Sequence, residues 1–211
     1  MEYWTEYTRF FTALFVILDP FAAIPIFLVL TKNYTAAERG RVANITALTV
    51  LLALVIASLT GEALLRGMGT SLASFRVGGG IVLLLMALAM LRGQTDMVRT
   101  TPAEEAEAED KRSVAVVPLA IPLLAGPGSI SSVIIQTHRV DTEYHSLLII
   151  LVIALVCMFL WIVLRMAVSI GRMLGNIGLN IINRLFGLIL AAIAVEIMAN
   201  GLKQLFPVLA G

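Results

Sequence analysis

Two similar segments, LDPFAAIPIFLVLT at residues 18–31 and LAGPGSISSVIIQT at residues 124–137, determine how this chain is built. Each lies in a long apolar stretch that a proline interrupts, Pro20 in the first and Pro127 in the second. Proline lacks a backbone donor and clashes with the preceding turn, so we expect a helix break at each position. The same break therefore occurs once in each half of the chain.

The composition around these segments is typical of an integral membrane protein. Of 211 residues, 59% are hydrophobic and 14% are charged, and the mean hydropathy is +0.95. Soluble domains carry about 25% charged residues, so the lipid bilayer is the expected partner of most of this surface. Six stretches approach the ~20 residues that cross ~30 Å of hydrocarbon: 10–30, 42–64, 72–91, 114–135, 147–168 and 181–202.

The residue inventory excludes several classes of function. Fifteen Lys and Arg against fourteen Asp and Glu give no basic face for nucleic acid. The single cysteine, Cys157, excludes an internal disulfide and a multi-cysteine metal site. The predicted spans contain no histidine, and the deep acids Asp19 and Glu196 lack recognisable protease motifs. We therefore expect neither an enzyme nor a protein that holds a metal or cofactor.

The two halves share further landmarks. Arg76 recurs as Arg184, and each is followed three residues later by a glycine, Gly79 or Gly187. Each half thus has a proline-broken helix, a plain helix, and a helix that opens with Arg and Gly. Because each half has three spans, the second must insert with the opposite orientation. We predict an all-α membrane protein whose six transmembrane helices form two inverted three-helix repeats with broken first and fourth helices, an arrangement typical of secondary transporters.

The repeat also gives the domain organisation and orientation. Residues 1–93 and 113–211 are the two halves of one membrane domain, and residues 94–112 are an acidic linker that we interpret as solvated. Lys and Arg are more frequent in loops on the linker's side, which the positive-inside rule places in the cytoplasm. Both termini are then periplasmic, outside the inner membrane.

The two breaks define a candidate binding site. An unsatisfied backbone group costs several kcal/mol in hydrocarbon, so such breaks persist only inside protein or beside a wet cavity. Asp or Gly followed by Pro is typical of a helix start, and helix N-termini favour a carboxylate. The alternative is a pair of kinks that only shape packing. The predicted substrate-binding residues are Asp19, Pro20, Ala22, Ala23, Pro25, Gly126, Pro127, Gly128, Ser129 and Ser131.

Two acids lie within the spans and are candidates for coupling to H⁺ or Na⁺. A carboxylate at bilayer depth costs at least ~2.5 kcal/mol on insertion scales and is a functional candidate by default. Asp19 can bind an ammonium group or carry a proton, or it can only cap its half-helix. Glu196 lies in the last span, two turns from the outer end, where it can also reach water.

Other polar and small residues have simpler interpretations. Arg76 and Arg184 are expected near span ends, with side chains that reach the membrane surface. The glycines at 78–80 and Gly187 are expected to allow close helix packing. A loose set of His and acidic residues at 138–145 resembles a metal cluster, but we predict no metal there.

At the two breaks the chain resembles the MarC family of bacterial and archaeal integral membrane proteins. The resemblance implies six spans, membership of a broader superfamily of amino-acid exporters, and similarity to ion-coupled transporters of glycine and alanine. Asp19 departs from the family pattern, which usually has Asn before the first proline. The matching segments, which span nearly the whole chain, are DPFAAIPIFLVLT, PLAIPLLAGPGSISSVI, FRVGGGIVLLLMALAML and NRLFGLILAAIAVEIMANGL.

Residues and resemblance together predict a secondary transporter or exporter of small neutral amino acids that works by alternating access. The substrate carboxylate would meet the half-helix starts after Pro20 and Pro127, and its ammonium group would meet unwound carbonyls and Asp19. One alternative is efflux of larger drugs. A drug pocket should be lined by aromatic side chains, but aromatic residues make up only 7% of the chain. Another is a non-transporting membrane scaffold. A second copy of the chain is a candidate partner.

Overall fold

The computed structural model describes residues 2–67, 69–93, 115–137 and 144–210, and every regular element in these ranges is a helix. The predicted linker at 94–112 and most of the His and acidic set at 138–145 lie outside the described residues. The helices are α1 (Glu2–Leu18), α2 (Ala23–Leu30), α3 (Ala36–Gly67), α4 (Leu72–Arg92), α5 (Ala115–Leu124), α6 (Pro127–Thr137), α7 (His145–Arg165) and α8 (Ala167–Leu205), followed by a 3-10 turn at Pro207–Ala210.

Four helices are long and apolar enough to cross a membrane alone. They are Ala36–Gly61 of α3, all of α4 and α7, and Ile177–Leu205 of α8. A fifth candidate is a bent pair, in which Thr5–Leu18 and Ala23–Leu30 meet at 44°. The prediction of an all-helical, multi-pass membrane protein is confirmed, with four or five spans in the described ranges. The fourth predicted stretch, at 114–135, corresponds to α5 and α6, which are not among the candidate spans of the described ranges.

Local sequence signals place the ends of the long helices. Thr35 and Glu38 form a capping box at the start of α3: the Glu38 N–H donates to Thr35 Oγ1 (3.3 Å), and the Thr35 N–H donates to Glu38 Oε2 (2.8 Å). At the start of α4, the Ser74 N–H donates to Ser71 Oγ (3.0 Å). Gly93 ends α4 with a φ of 72°, which glycine adopts without steric cost.

Helices α4 and α8 run antiparallel. A Cβ placed on Gly80 would lie 3.0 Å from the carbonyl oxygen of Ala194 and would also touch Met198. A Cβ placed on Gly187 would lie 2.9 Å from Cβ of Met90. Gly80, in the first half of α4, therefore meets the later part of α8, whereas Gly187, in the middle of α8, meets the end of α4. The glycines allow the two backbones to approach closely, as the sequence predicts.

A second antiparallel pair joins α3 to α7. Gly40, near the start of α3, lies against the side chain of Arg165, the last residue of α7. One turn further along α3, Asn44 Oδ1 accepts a hydrogen bond from Nε1 of Trp161 (2.7 Å). The start of α3 therefore lies beside the end of α7.

By contrast, α3 runs parallel to the segment formed by α5 and α6. The Thr46 hydroxyl donates to the carbonyl of Ala115 (3.0 Å), at the start of α5. The hydroxyls of Ser58 and Thr137 lie 3.0 Å apart, at the end of α6. Residues 115–137 therefore travel along α3 in the same direction.

The buried core surrounds both proline breaks. One cluster of buried apolar side chains joins Leu18 and Ile24, on either side of the first break, to Leu124 and Ala125 at the second. A smaller cluster joins α1 to α4 and α8. Asp19, Pro20, Gly126 and Gly128 are buried, whereas Pro127 is exposed. Most of the backbone at the two breaks therefore lies inside protein, which is the environment that broken helices require at membrane depth.

Candidate functional site

The first break is a turn capped by a buried aspartate. After α1 ends, Asp19 adopts a left-handed φ of 44°, which Asp tolerates better than most residues. Its N–H donates to the carbonyl of Phe15 (3.1 Å), and its Oδ1 accepts from the N–H of Ala22 (3.2 Å). Asp19 is 0% exposed. Its carboxyl group therefore caps the turn that leads into α2 from inside the protein.

Small residues follow this aspartate. Pro20, Ala22 and Ala23 are buried, and Pro25 is half-buried. Pro25 has no N–H to donate to the carbonyl of Phe21, and that carbonyl accepts from Ile24 instead (3.2 Å). The predicted residues of the first half thus form a tight turn with little side-chain bulk.

The second break lies between a π-type helix, α5, and the α-helix α6. The N–H of Ala125 donates to the carbonyl of Ala120, five residues back (2.7 Å). The N–H of Ile130 donates to the carbonyl of Gly126 (3.1 Å). Gly126 therefore begins the hydrogen-bond ladder of α6, and Pro127 occupies the first helical position, where its missing N–H costs nothing.

Two buried serine hydroxyls donate to carbonyls at this break. Oγ of Ser129 lies 2.9 Å from the carbonyl of Leu124 and 3.0 Å from that of Gly126. Oγ of Ser131 lies 2.7 Å from the carbonyl of Pro127. Because the hydroxyl hydrogens already form hydrogen bonds to backbone carbonyls, the serine oxygens can act toward a ligand mainly as acceptors. That chemistry suits an ammonium group better than a carboxylate.

Helix α4 packs directly on the second break through two glycine contacts. A Cβ on Gly79 would lie 2.9 Å from Oγ of Ser131. A Cβ on Gly128 would lie 2.8 Å from Cδ2 of Leu83 and 2.9 Å from Sδ of Met86. Gly128, which we predicted to bind substrate, therefore also provides close packing against α4.

The two breaks are neighbours in the structure. A Cβ on Gly128 would lie 3.7 Å from Cγ2 of Ile17, two residues before Asp19. Helix α1 contacts α6, and α2 contacts α5. The two broken segments therefore cross where each is interrupted.

An aromatic cluster beside the first break was missed by the sequence reasoning. The ring centroid of Phe15 lies 6.4 Å from that of Phe21 and 6.0 Å from that of Phe186, and Phe21 and Phe186 are 5.9 Å apart. Phe11 and Phe159, 5.8 Å apart, extend the cluster. The four-residue spacing of Phe11 and Phe15 places them on one face of α1. Their partners on other helices had no signal in the sequence.

Asn183 is a second residue that the sequence reasoning did not single out. It is 6% exposed, and its Oδ1 accepts no hydrogen bond from any residue that the structure describes. One turn away are Phe186, which contacts Phe21, and Leu179, which belongs to the same buried cluster as Leu18. Residues three and four apart share a helix face, so Asn183 presents a buried acceptor toward the first break.

Three other residues noted in the sequence lie elsewhere. Glu196 is exposed, on the side of α8 that faces away from α4, and does not share the buried environment of Asp19. Arg184 is exposed, as we expected. The same expectation is wrong for Arg76, which is 8% exposed because it packs against Gly201 of α8.

A buried polar contact joins α1, α6 and α7. Nδ1 of His145 lies 2.9 Å from the hydroxyl of Tyr7, and Nε2 lies 3.0 Å from the carbonyl of Gln136. His145 is 1% exposed. Within the described ranges, no group of three or more His, Cys, Asp or Glu side chains could hold a metal ion.

Comparison with known proteins gives matches along nearly the full chain. The model of the MarC family integral membrane proteins matches residues 4–206. The UPF0056 membrane protein YhcE of Escherichia coli (strain K12) is 38% identical over 206 residues, 95% of this chain and 94% of that protein. MJ1677 of Methanocaldococcus jannaschii, also a UPF0056 membrane protein, is 39% identical over 193 residues, 92% and 94% of the two chains. No solved structure matches.

Proposed function

Because this chain belongs to the MarC family of integral membrane proteins, we propose that it is a secondary transporter of small neutral amino acids such as glycine and alanine. It would work by alternating access of two inverted three-helix repeats, with export as the net direction and an H⁺ or Na⁺ gradient as the driving force. The observation that carries the proposal is that the two helix breaks lie side by side, Gly128 being next to Ile17. Similarity to the family, as the sequence indicated it, supplies the substrate class.

The directions of the helices support the inverted arrangement. Under the repeat, α3 corresponds to α7 and α4 to α8, and both pairs pack antiparallel. Gly80 meets Met198 and Gly187 meets Met90, and the two methionines stand at equivalent positions of the two halves. The broken segments also exchange equivalent parts, because α1 contacts α6 while α2 contacts α5. A twofold axis in the membrane plane relates contacts of this kind.

The two breaks differ in chemistry, which suggests an orientation for the substrate. Asp19 already places a carboxyl group at the start of α2. A substrate carboxylate is therefore expected at the start of α6, where the first N–H groups have no acceptor within the helix. The ammonium group is expected to face Asp19, the lone pairs of Ser129 and the buried Oδ1 of Asn183.

The packing around the breaks favours a small substrate. Ala22, Ala23 and Gly126 are buried and leave little volume for a ligand side chain unless the helices move apart. Gly128 is in contact with Leu83 and other side chains. Glycine has no side chain and alanine has a single methyl group, so they need the least volume of all amino acids in this space.

The aromatic cluster is the one observation that favours efflux of larger drugs. A drug pocket would present ring faces to an open space. Here the rings of Phe15 and Phe186 meet at 66° and those of Phe21 and Phe186 at 79°, an edge-to-face packing in which the rings fill one another's space. We therefore interpret the cluster as support for the first break.

Reconstitution into liposomes tests the proposal. Purified protein loaded with unlabelled glycine is expected to exchange it for labelled glycine or alanine, and to accumulate label under an imposed proton or sodium gradient. Labelled leucine and a cationic amphipathic drug test substrate size and class, and protein-free liposomes give the background. Absence of glycine and alanine flux under every gradient would rule out the substrate class, and drug flux in its place would favour efflux.

A further inference from the structure

We propose that the groove between the start of α3 and the end of α7 binds an anionic phospholipid, with Arg165 as the residue that contacts the phosphate. The site is formed by Gly40, Arg41 and Asn44 of α3 and by Trp161 and Arg165 of α7. It lies apart from the helix breaks and does not depend on what the protein transports.

The position of Arg165 places it where lipid phosphates lie. It is the last residue of the span His145–Arg165, whose mean hydropathy is 3.4. We therefore place the edge of the hydrocarbon layer at about this residue. Trp161, one turn earlier and 39% exposed, lies at the depth where tryptophan is enriched at membrane interfaces.

The guanidinium group of Arg165 is held in place by both helices. Its Cζ lies 5.7 Å from the centroid of the Trp161 ring. That ring is fixed in turn, because Nε1 donates to Oδ1 of Asn44 (2.7 Å). The arginine is therefore positioned by a cation–π contact on an anchored aromatic ring.

Gly40 provides the space that the guanidinium group of Arg165 occupies. A Cβ on this glycine would lie 2.6 Å from Nη1 of Arg165. The guanidinium group thus occupies the space that any other residue at position 40 would fill with a side chain. An arginine at the end of a span that only extends its side chain toward water does not need a glycine opposite it on a neighbouring helix.

The charge in the groove has no acidic partner within the described ranges. Arg165 is exposed, and so is Arg41, which follows Gly40. Neither forms an ion pair with a described carboxylate. The acid nearest in sequence, Glu38, accepts hydrogen bonds from the backbone and hydroxyl of Thr35. The positive end of α3 adds to the field.

These features match a phosphodiester. With one face of the guanidinium against Trp161, its N–H edge remains available for the two non-bridging oxygens of a phosphate. The acyl chains of the lipid would lie along the apolar surfaces of α3 and α7 below the headgroup. Exposed side chains on this side of α7 include Met158 and Ile162.

Lipid titration of the full-length protein in detergent tests the proposal. Added phosphatidylglycerol is expected to raise the thermal unfolding midpoint and to be retained in native mass spectra, whereas phosphatidylcholine is not. Arg165→Gln is expected to weaken phosphatidylglycerol binding about tenfold, the loss of one charge-assisted contact. Gly40→Ala, which displaces the guanidinium group, and Trp161→Phe, which removes the hydrogen bond to Asn44, are expected to weaken it by a smaller factor.

Arg92→Gln is the matched control, because Arg92 is an exposed arginine at the end of another span, α4. It is expected to leave phosphatidylglycerol binding unchanged. An equal loss in Arg92→Gln and Arg165→Gln would overturn the proposal in favour of a diffuse charge effect. Stabilisation by inorganic phosphate alone, removed by Arg165→Gln, would also overturn it, because the groove would then be an anion site without lipid selectivity.

Discussion

At the scale of single residues, Asp19 has an observed structural role and a proposed chemical one. Its Oδ1 accepts from the N–H of Ala22, and its φ of 44° suits Asp or Asn better than most residues. Asparagine keeps the acceptor and the backbone conformation. It replaces only the ionisable oxygen with an amide nitrogen. The two roles can therefore be separated by substitution.

We predict that Asp19→Asn preserves the fold and changes how transport responds to an ion gradient. Its unfolding midpoint should stay close to the parent, whereas Asp19→Ala loses the cap and should be destabilised by about 0.5–2 kcal/mol. Glycine exchange should persist in Asp19→Asn, while accumulation driven by a proton gradient should fall. Unchanged accumulation would show that the charge of Asp19 takes no part in coupling.

Asn183 gives a second test at this scale. Because its Oδ1 has no hydrogen-bond donor among the described residues, Asn183→Ala should cost little stability. Loss of a contact to the substrate ammonium group should raise the KM for glycine exchange about tenfold. Asn200→Ala, on the exposed surface of the same helix, is the control and should leave the KM unchanged. A large loss of stability with an unaltered KM would assign Asn183 a purely structural role.

At the scale of helices, the sequence predicted the breaks well because their cause is local. Pro20 and Pro127 each remove a hydrogen-bond donor, and the residue before each of them starts a new helix or turn. The π-type winding of α5 was not predictable, because it depends on which carbonyls the surrounding helices leave available. The same limit applies to Arg76: its place near a span end is visible in the sequence, but its burial against Gly201 depends on tertiary packing.

Adjacent glycines in α4 allow a matched test of helix packing. Gly79→Ala should destabilise the protein by about 1–3 kcal/mol, because the new methyl group would overpack against Ser131. Gly78→Ala should be neutral or stabilising by up to ~1 kcal/mol, because nothing lies within 4 Å of its Cβ position and alanine favours the helix. Thermal unfolding in detergent measures both. Equal effects of the two substitutions would contradict the packing seen at Gly79.

At the scale of the whole molecule, the two halves are interleaved. Most helix pairs in contact join one half to the other, including α3 with α7 and α4 with α8. The sequence predicted the membrane class, the family and the positions of four or five spans, because apolar length and proline are read directly. It did not predict which helices pair, since similar apolar faces can pair in several ways. The Phe cluster and the Trp161 contact are products of that pairing.

Interleaving predicts how a divided protein should behave. Separate chains covering residues 1–93 and 113–211 should associate when expressed together, and a tag on one should recover the other from detergent. Gly187→Leu in the second chain should reduce this recovery severalfold, because a large side chain would separate α8 from Met90 and Ala87 of α4. Glu196→Leu, on the exposed surface of α8, is the control. Stable accumulation of either half alone would argue against interdependence.

The antiparallel pairing of α4 with α8 also bears on biosynthesis. The face of α4 that ends up against α8 leaves the ribosome long before its partner has been made. During that interval Gly80 and Arg76, which later contact α8, must be covered by lipid or by an insertion chaperone. We therefore expect completion of the last helix, rather than entry of the first, to be the step at which the chain gains resistance to proteases.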